Sequence, residues 1–286
     1  MKTQIQEPEI QIIGINKKFN QENELINEIR KIFVSHPEII KKPVFFVFPE
    51  AVFGGKAIRQ QDTKPFLEKL HQTLAMHGNA YAFFSMHETE PAGHLTNTGL
   101  IVMPKKEKGM YFKSYSKLAA VKTRETVPAK PGQKVKTREL IIPPVIDQEI
   151  MKQIEKAEGK NEREHRRRWF ERAKEVQAFP NAEIEGNTVE LRVCADAREG
   201  KKNYQFKARK RKEKKDFIII PAQGAFTKQD IEYIRSRLNS KGFGIILDYW
   251  SKKLKVIGKT GRTTNFPELK KPATHKEKRF TIRHII

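Results

Sequence analysis

Cysteine is almost missing from this chain: Cys194 is the single one in 286 residues, which excludes an internal disulfide and any zinc site built from a cysteine cluster. That shortage points to a reduced, cytoplasmic setting. Long hydrophobic runs are missing as well. Nothing approaches the roughly 20 apolar residues of a spanning helix, and the opening MKTQIQEPEI has no hydrophobic stretch like that of a secretory signal. No transmembrane segment is expected, although export by a route without a classical signal stays open. Acidic residues are scarce beside basic ones, 34 against 57, leaving a formal charge of +23. A field of that sign attracts nucleic acid, acidic surfaces or anionic substrates without choosing among them. Metal-binding patterns are lacking too, since His71, His77, His87 and His94 form no His-x-x-x-His pair and have no carboxylate at ligand spacing. They read as surface or satisfied core histidines, and neither a metal nor another cofactor is expected. Gly54-Gly55 and Gly258-x-x-Gly261 are too short for phosphate loops and read as turns. No nucleophile-elbow sequence supports a serine triad.

What is present is an alternation of apolar runs and amphipathic stretches. Ile10 to Ile15 suits a buried strand, and Leu25, Ile29, Ile32 and Phe33 then recur at helical spacing. Val44 to Phe48 is a continuous apolar run that stops at Pro49, as expected of a strand covered on both faces, and an acid, Glu50, follows it. Residues 62–77 predict a helix through Phe66, Leu70 and Leu74, followed by a strand over Tyr81 to Met86. Further strands are expected at Thr98 to Met103, Thr188 to Cys194, Phe217 to Ile220 and Gly244 to Trp250, with a helix over Asp230 to Lys241. Two charged stretches interrupt this pattern: a helical one at about 147–176 and a basic one at about 200–215. Both read as insertions, and the proline-bearing Val127 to Val145 reads as a loop leading into the first. The expectation is a single domain over 1–286 with a folded core and two charged insertions.

Three strand ends carry groups that could act together. Cys194 follows an apolar strand, where a nucleophile would be exposed in an open α/β sheet; a lone cysteine is also commonly a buried structural thiol. Glu50 and Lys117 stand at the ends of two other segments and, taken singly, suit a solvated surface equally well. Together, Phe48-Pro49-Glu50, Tyr115-Ser116-Lys117 and Cys194-Ala195-Asp196 resemble the carbon–nitrogen hydrolase (nitrilase) superfamily, whose catalytic Glu follows a strand and a proline, whose Lys follows Tyr-x, and whose Cys precedes x-Asp. The spacing from Lys117 to Glu125 and Pro128 also matches a family pattern, though Ala120 and Lys122 stand where leucine and proline are usual. Lys113 also follows Tyr-x, and Lys117 is preferred because it alone keeps the second glutamate, Glu125. Asn97-Thr98-Gly99 and Asp216 to Pro221 resemble flanking family segments. The chain departs from the family at Ala195, where an aromatic is usual, and in the long interval between lysine and cysteine.

The resemblance implies a four-layer α–β–β–α sandwich and hydrolysis of a non-peptide carbon–nitrogen bond, of an amide or carbamoyl group rather than a nitrile. It implies Cys194 as nucleophile, Glu50 as general base, Lys117 with the backbone N–H of Ala195 stabilising the developing negative charge, and Glu125 assisting. An amine in place of water would make the chain an acyltransferase. The substrate is expected to be a small amide, with an anionic one in keeping with the net charge; a homodimer is common in the family. The competing reading is a degenerate hydrolase scaffold whose basic insertions hold nucleic acid or an anionic partner, with Trp169 and Phe170 beside Arg166, Arg167 and Arg168.

Overall fold

The computed structural model describes residues 10–89, 95–104, 111–115, 121–127, 136–142, 181–197, 214–224, 226–259, 263–267, 273–277 and 280–285. In chain order the first half holds β1 (Ile10–Ile15), α1 (Glu22–Ser35), β2 (Val44–Val47), β3 (Ala57–Arg59), α2 (Gln60–Met76), β4 (Ala80–Thr89), β5 (Leu95–Val102), β6 (Tyr111–Tyr115), β7 (Val121–Val127) and β8 (Lys136–Ile142). The second half holds β9 (Asn181–Ile184), β10 (Asn187–Leu191), β11 (Lys215–Ala222), α3 (Lys228–Arg237), β12 (Leu238–Asp248), β13 (Lys253–Gly258), β14 (Thr263–Pro267), β15 (Ala273–Glu277) and β16 (Phe280–Ile285).

These strands form two large sheets and a hairpin. One sheet runs β15-β16-β1-β2-β4-β5-β6 with β3 also on β4; the other runs β14-β13-β12-β11-β10-β9; β7 and β8 pair with each other. The centre of each is parallel, β16-β1-β2-β4 in the first and β10-β11-β12 in the second. Parallel neighbours need crossovers, and α1, α2 and α3 lie in the connections that bring the chain back. The central strands are apolar on both faces because both faces are covered.

Side-chain parity separates the layers. Ile12, Phe45, Val47, Phe83 and Ile101 of the first sheet meet Leu191, Phe217, Ile219, Ile245 and Leu247 of the second in one buried cluster. The alternate residues Ile13, Phe46 and Phe84 face Leu25, Ile29 and Phe33 of α1 and Phe66, Leu70 and Leu74 of α2. On the far side, Ile218, Ile220 and Ile246 pack on Ile234 of α3. The result is the expected α–β–β–α sandwich.

Several local expectations change. The helix expected over Asp230 to Lys241 ends at Arg237, and 238–241 begin β12. Pairing overrides helical spacing there: Leu238 is the partner of Lys215, and Asn239 Nδ2 donates to Asp216 Oδ1 at 2.9 Å. The stretch 127–145 is not all loop, since β8 pairs with β7 from Val121↔Ile142 to Val127↔Lys136; its prolines lie outside the strand, where no ladder N–H is lost. The strand expected to reach Cys194 stops at Leu191. The helical insertion at 147–176 lies outside the described residues, as does 200–213 of the basic one; Lys215 is buried as the first residue of β11.

Candidate active site at the carboxyl ends of the parallel strands

Glu50 is presented by a break in the β2–β4 ladder. Phe48 N–H still reaches Phe83 O at 2.9 Å, but Pro49 has no N–H to continue, and the chain bulges away. Ala51 takes a left-handed conformation, φ 51; its N–H donates to Ser85 Oγ at 3.0 Å, and Val52 N–H returns to Ser85 O at 2.9 Å. β3 then rejoins β4 opposite His87. The carboxylate held in this bulge is buried, and Asn97 Nδ2 of β5 donates to its Oε1 at 2.9 Å.

Cys194 sits on the other sheet. After β10, Arg192 N–H donates to Ile219 O at 2.9 Å, and Cys194 opens a 3-10 turn, Cys194–Ala197, with φ 33. A non-glycine residue in this region at a strand-to-turn junction is strained, and such strain gathers at functional sites; it is the shape by which a nucleophile is lifted off a sheet end. The turn is braced by Asp196 N–H on Val193 O at 2.8 Å and by buried Arg192, which bonds Glu190 and donates to Tyr233 Oη of α3 at 3.1 Å.

The two sheet ends meet at one edge of the sandwich. Gln223 Nε2, just past β11, donates to Glu50 O at 3.1 Å. Lys18, just past β1, lays its ammonium 4.5 Å from the ring centroid of Tyr249, just past β12. Burial holds the Lys18 ammonium below the usual lysine range, while the Glu50 charge opposes that shift. Glu50 and Cys194 therefore both stand at the carboxyl ends of parallel strands on the same edge. Lys117 lies outside the described residues. Glu125 lies in β7 and Lys113 in β6, where its backbone pairs with Leu100; their side chains lie outside the described set.

Sequence reasoning missed Lys18, Ser85, Gln223 and Tyr249, which no motif marks, and gave Asn97 no contact. It also misread one histidine. His71 is satisfied, with Nδ1 2.6 Å from Met103 O, and His77 stacks on Phe33 at 3.9 Å, but His87 is buried with Nδ1 unpartnered. Burial, opposed by a backbone hydrogen bond at Gly55, pushes the His87 imidazole down to about 4. His94 lies outside the described residues. Among the described residues no cluster of three His, Cys, Asp or Glu side chains could hold a metal, and no helix is long and apolar enough to cross a membrane.

No family model matches the chain, and no curated protein matches it. Solved structures do. Nit3 of Saccharomyces cerevisiae, a member of branch 10 of the nitrilase superfamily, aligns at TM-score 0.51 and 10% identity, over 94% of this chain and 89% of its own. An alanine-for-cysteine variant of the amidase from Nesterenkonia sp. AN1, in complex with butyramide, aligns at TM-score 0.50 and 10% identity over 90% and 85%. The fold is that of the nitrilase superfamily. A leucine-for-glutamate variant of the same amidase, with the acetamide moiety of fluoroacetamide added covalently at its active-site cysteine, aligns equally well, at TM-score 0.50 and 10% identity. At this identity the nitrilase fold is shared across nearly the whole chain while the side chains have diverged. In this example of it, a buried carboxylate and a strained thiol turn share one edge, a pairing suited to proton transfer from a nucleophile.

Proposed function

We propose that the chain hydrolyses a non-peptide carbon–nitrogen bond, in an amide or carbamoyl group, through a thioester on Cys194. The observation that carries this reading is the placement of Glu50, buried and held by Asn97, and of Cys194, at φ 33, on the same edge of a nitrilase fold. Glu50 takes the thiol proton as Sγ attacks the carbonyl carbon, then gives it to the leaving nitrogen. Lys117 and the Ala195 N–H take the oxyanion, and removing one such donor costs about 2.7–4 kcal/mol in the barrier. Water activated by Glu50, with Glu125 assisting, releases the acid; an amine acceptor would make the same thioester an acyl-transfer intermediate. Lys113 is the alternative cation. Residues 1–286 act in this reading as one catalytic domain, interrupted in sequence by the charged segments at 147–176 and about 200–214.

Incubation with a library of small amides, followed by intact mass, tests the proposal. An acyl adduct is expected on the wild type and not on Cys194→Ala. An adduct that persists in Cys194→Ala, or no adduct and no released ammonia across the library, would sink it.

A further inference from the structure

Two buried acceptors beside Glu50 lack a donor. His87 and Asn97 are direct partners across β4 and β5, and parity puts both on the inter-sheet face with Phe83 and Ile101; each is 3% exposed. Directly opposed residues of an antiparallel pair hold their Cβ atoms about 4.5–5.5 Å apart, so the two side chains stand side by side. Asn97 directs its amide nitrogen at Glu50, which fixes the orientation of the amide and leaves Oδ1 as the acceptor without a donor. His87 spends its N–H on the backbone of Gly55, in the loop that carries Glu50. A neutral imidazole donates from one nitrogen and accepts at the other, so its unpartnered Nδ1 is a lone pair. Orphaned buried acceptors are rare and costly; here two flank the proposed base.

We propose that His87 Nδ1 and Asn97 Oδ1 form the subsite for the leaving nitrogen of a primary amide, an assignment that rests on the hydrolase reading above. As Sγ bonds to the carbonyl carbon, the thiol proton passes to Glu50. The adduct collapses by breaking the C–N bond, the electron pair stays on nitrogen, and that pair takes the proton from Glu50 so that ammonia departs. At that point nitrogen is pyramidal, with its lone pair towards Glu50 and two N–H bonds that need acceptors. The two orphan lone pairs match them. An N-alkyl group would leave one acceptor buried and unmet, and an ester oxygen would bring no hydrogen to either.

Single-turnover acylation of Cys194 by matched pairs of short-chain primary amides and methyl esters tests this. His87→Leu is expected to slow the amide about tenfold while the ester stays within about twofold, the size of effect expected of one hydrogen bond. His87→Asn, which returns an amide oxygen near the place of Nδ1, is expected to recover most of the amide rate. Equal losses on amide and ester would overturn the subsite, as would an unchanged amide rate in folded His87→Leu. A loss confined to hydrolysis of the acyl-enzyme would assign the lone pairs to water and overturn it too. Should His87→Leu not fold, the wild type decides: N-methyl amides are expected to acylate at least about tenfold more slowly than primary amides, and equal rates would count against the subsite. A wild type that forms no adduct with any pair sinks the hydrolase reading itself, and the subsite with it.

Discussion

Pro49 and Asn97 do the most to shape the setting of Glu50, the proposed base. The first ends a ladder by having no N–H, and the second holds the carboxylate that the resulting bulge carries inward. Glu50→Gln keeps this shape, since an amide oxygen can still accept from Asn97, but it cannot shuttle a proton. Its kcat/KM is expected to fall by about 10²–10⁴-fold with the thermal midpoint nearly unchanged; parallel loss of activity and stability would show that the carboxylate is structural. His87 gives a prediction with a defined sign. Its folded value is about 4 against an ordinary 6.5, so between those limits the unfolded chain binds a proton that the native state refuses. The stability conferred by the neutral, buried ring is therefore complete above about pH 6.5 and is lost as pH falls to about 4, by ~3 kcal/mol in all. Urea unfolding across that range is expected to show the decline in the wild type and a shallower one in His87→Asn. At this scale the positions of Glu50 and Cys194 near strand ends were legible, because an apolar run precedes the first and an alternating strand the second. His87 was not, because an unsatisfied histidine differs from a satisfied one only in what surrounds it.

At the scale of elements, local pattern and local structure agree where burial is two-sided. Val44–Val47 and Phe217 to Ile220 are continuous apolar runs and are central parallel strands. They part company at β12, where the backbone passes close against its neighbours: a Cβ at Gly242 would lie 2.6 Å from Lys215 O, and one at Gly244 would lie 2.7 Å from Ile234 Cγ2 of α3. Gly244→Ala is thus expected to push α3 outward and cost about 1–3 kcal/mol in chemical denaturation. α3 itself starts with a capping box, in which Thr227 Oγ1 accepts from Asp230 N–H and the Asp230 side chain accepts from Thr227 N–H. Thr227→Ala should cost roughly 1 kcal/mol, and an unchanged midpoint would mean that packing alone holds the helix. The strands β3, β6, β9 and β13 to β16 were hardly visible beforehand, since they are short or mixed in polarity and are strands by virtue of their partners.

For the molecule as a whole, the inter-sheet layer decides whether the two halves of the site stay together. Phe45 and Phe217 meet across it with ring centroids 5.6 Å apart. Phe217→Ala is expected to destabilise by about 3–5 kcal/mol and, in whatever fraction stays folded, to slow acylation, because Glu50 and Cys194 belong to different sheets. A variant that unfolds more easily but acylates at the wild-type rate would show that the edge contacts, Gln223 on Glu50 O and Lys18 on Tyr249, suffice to hold the site. The sequence by itself determined the alternation of buried strands and amphipathic helices, the charge, and two candidate reactive residues near strand ends, because apolar runs, periodicity and residue type are local properties. Only the tertiary structure decided that those ends share an edge, that Cys194 turns left-handed, and that His87 Nδ1 and Asn97 Oδ1 lie buried without a partner. Those facts depend on which strands become neighbours, and hydrophobic burial, being without direction, leaves that choice to the packing of the whole chain.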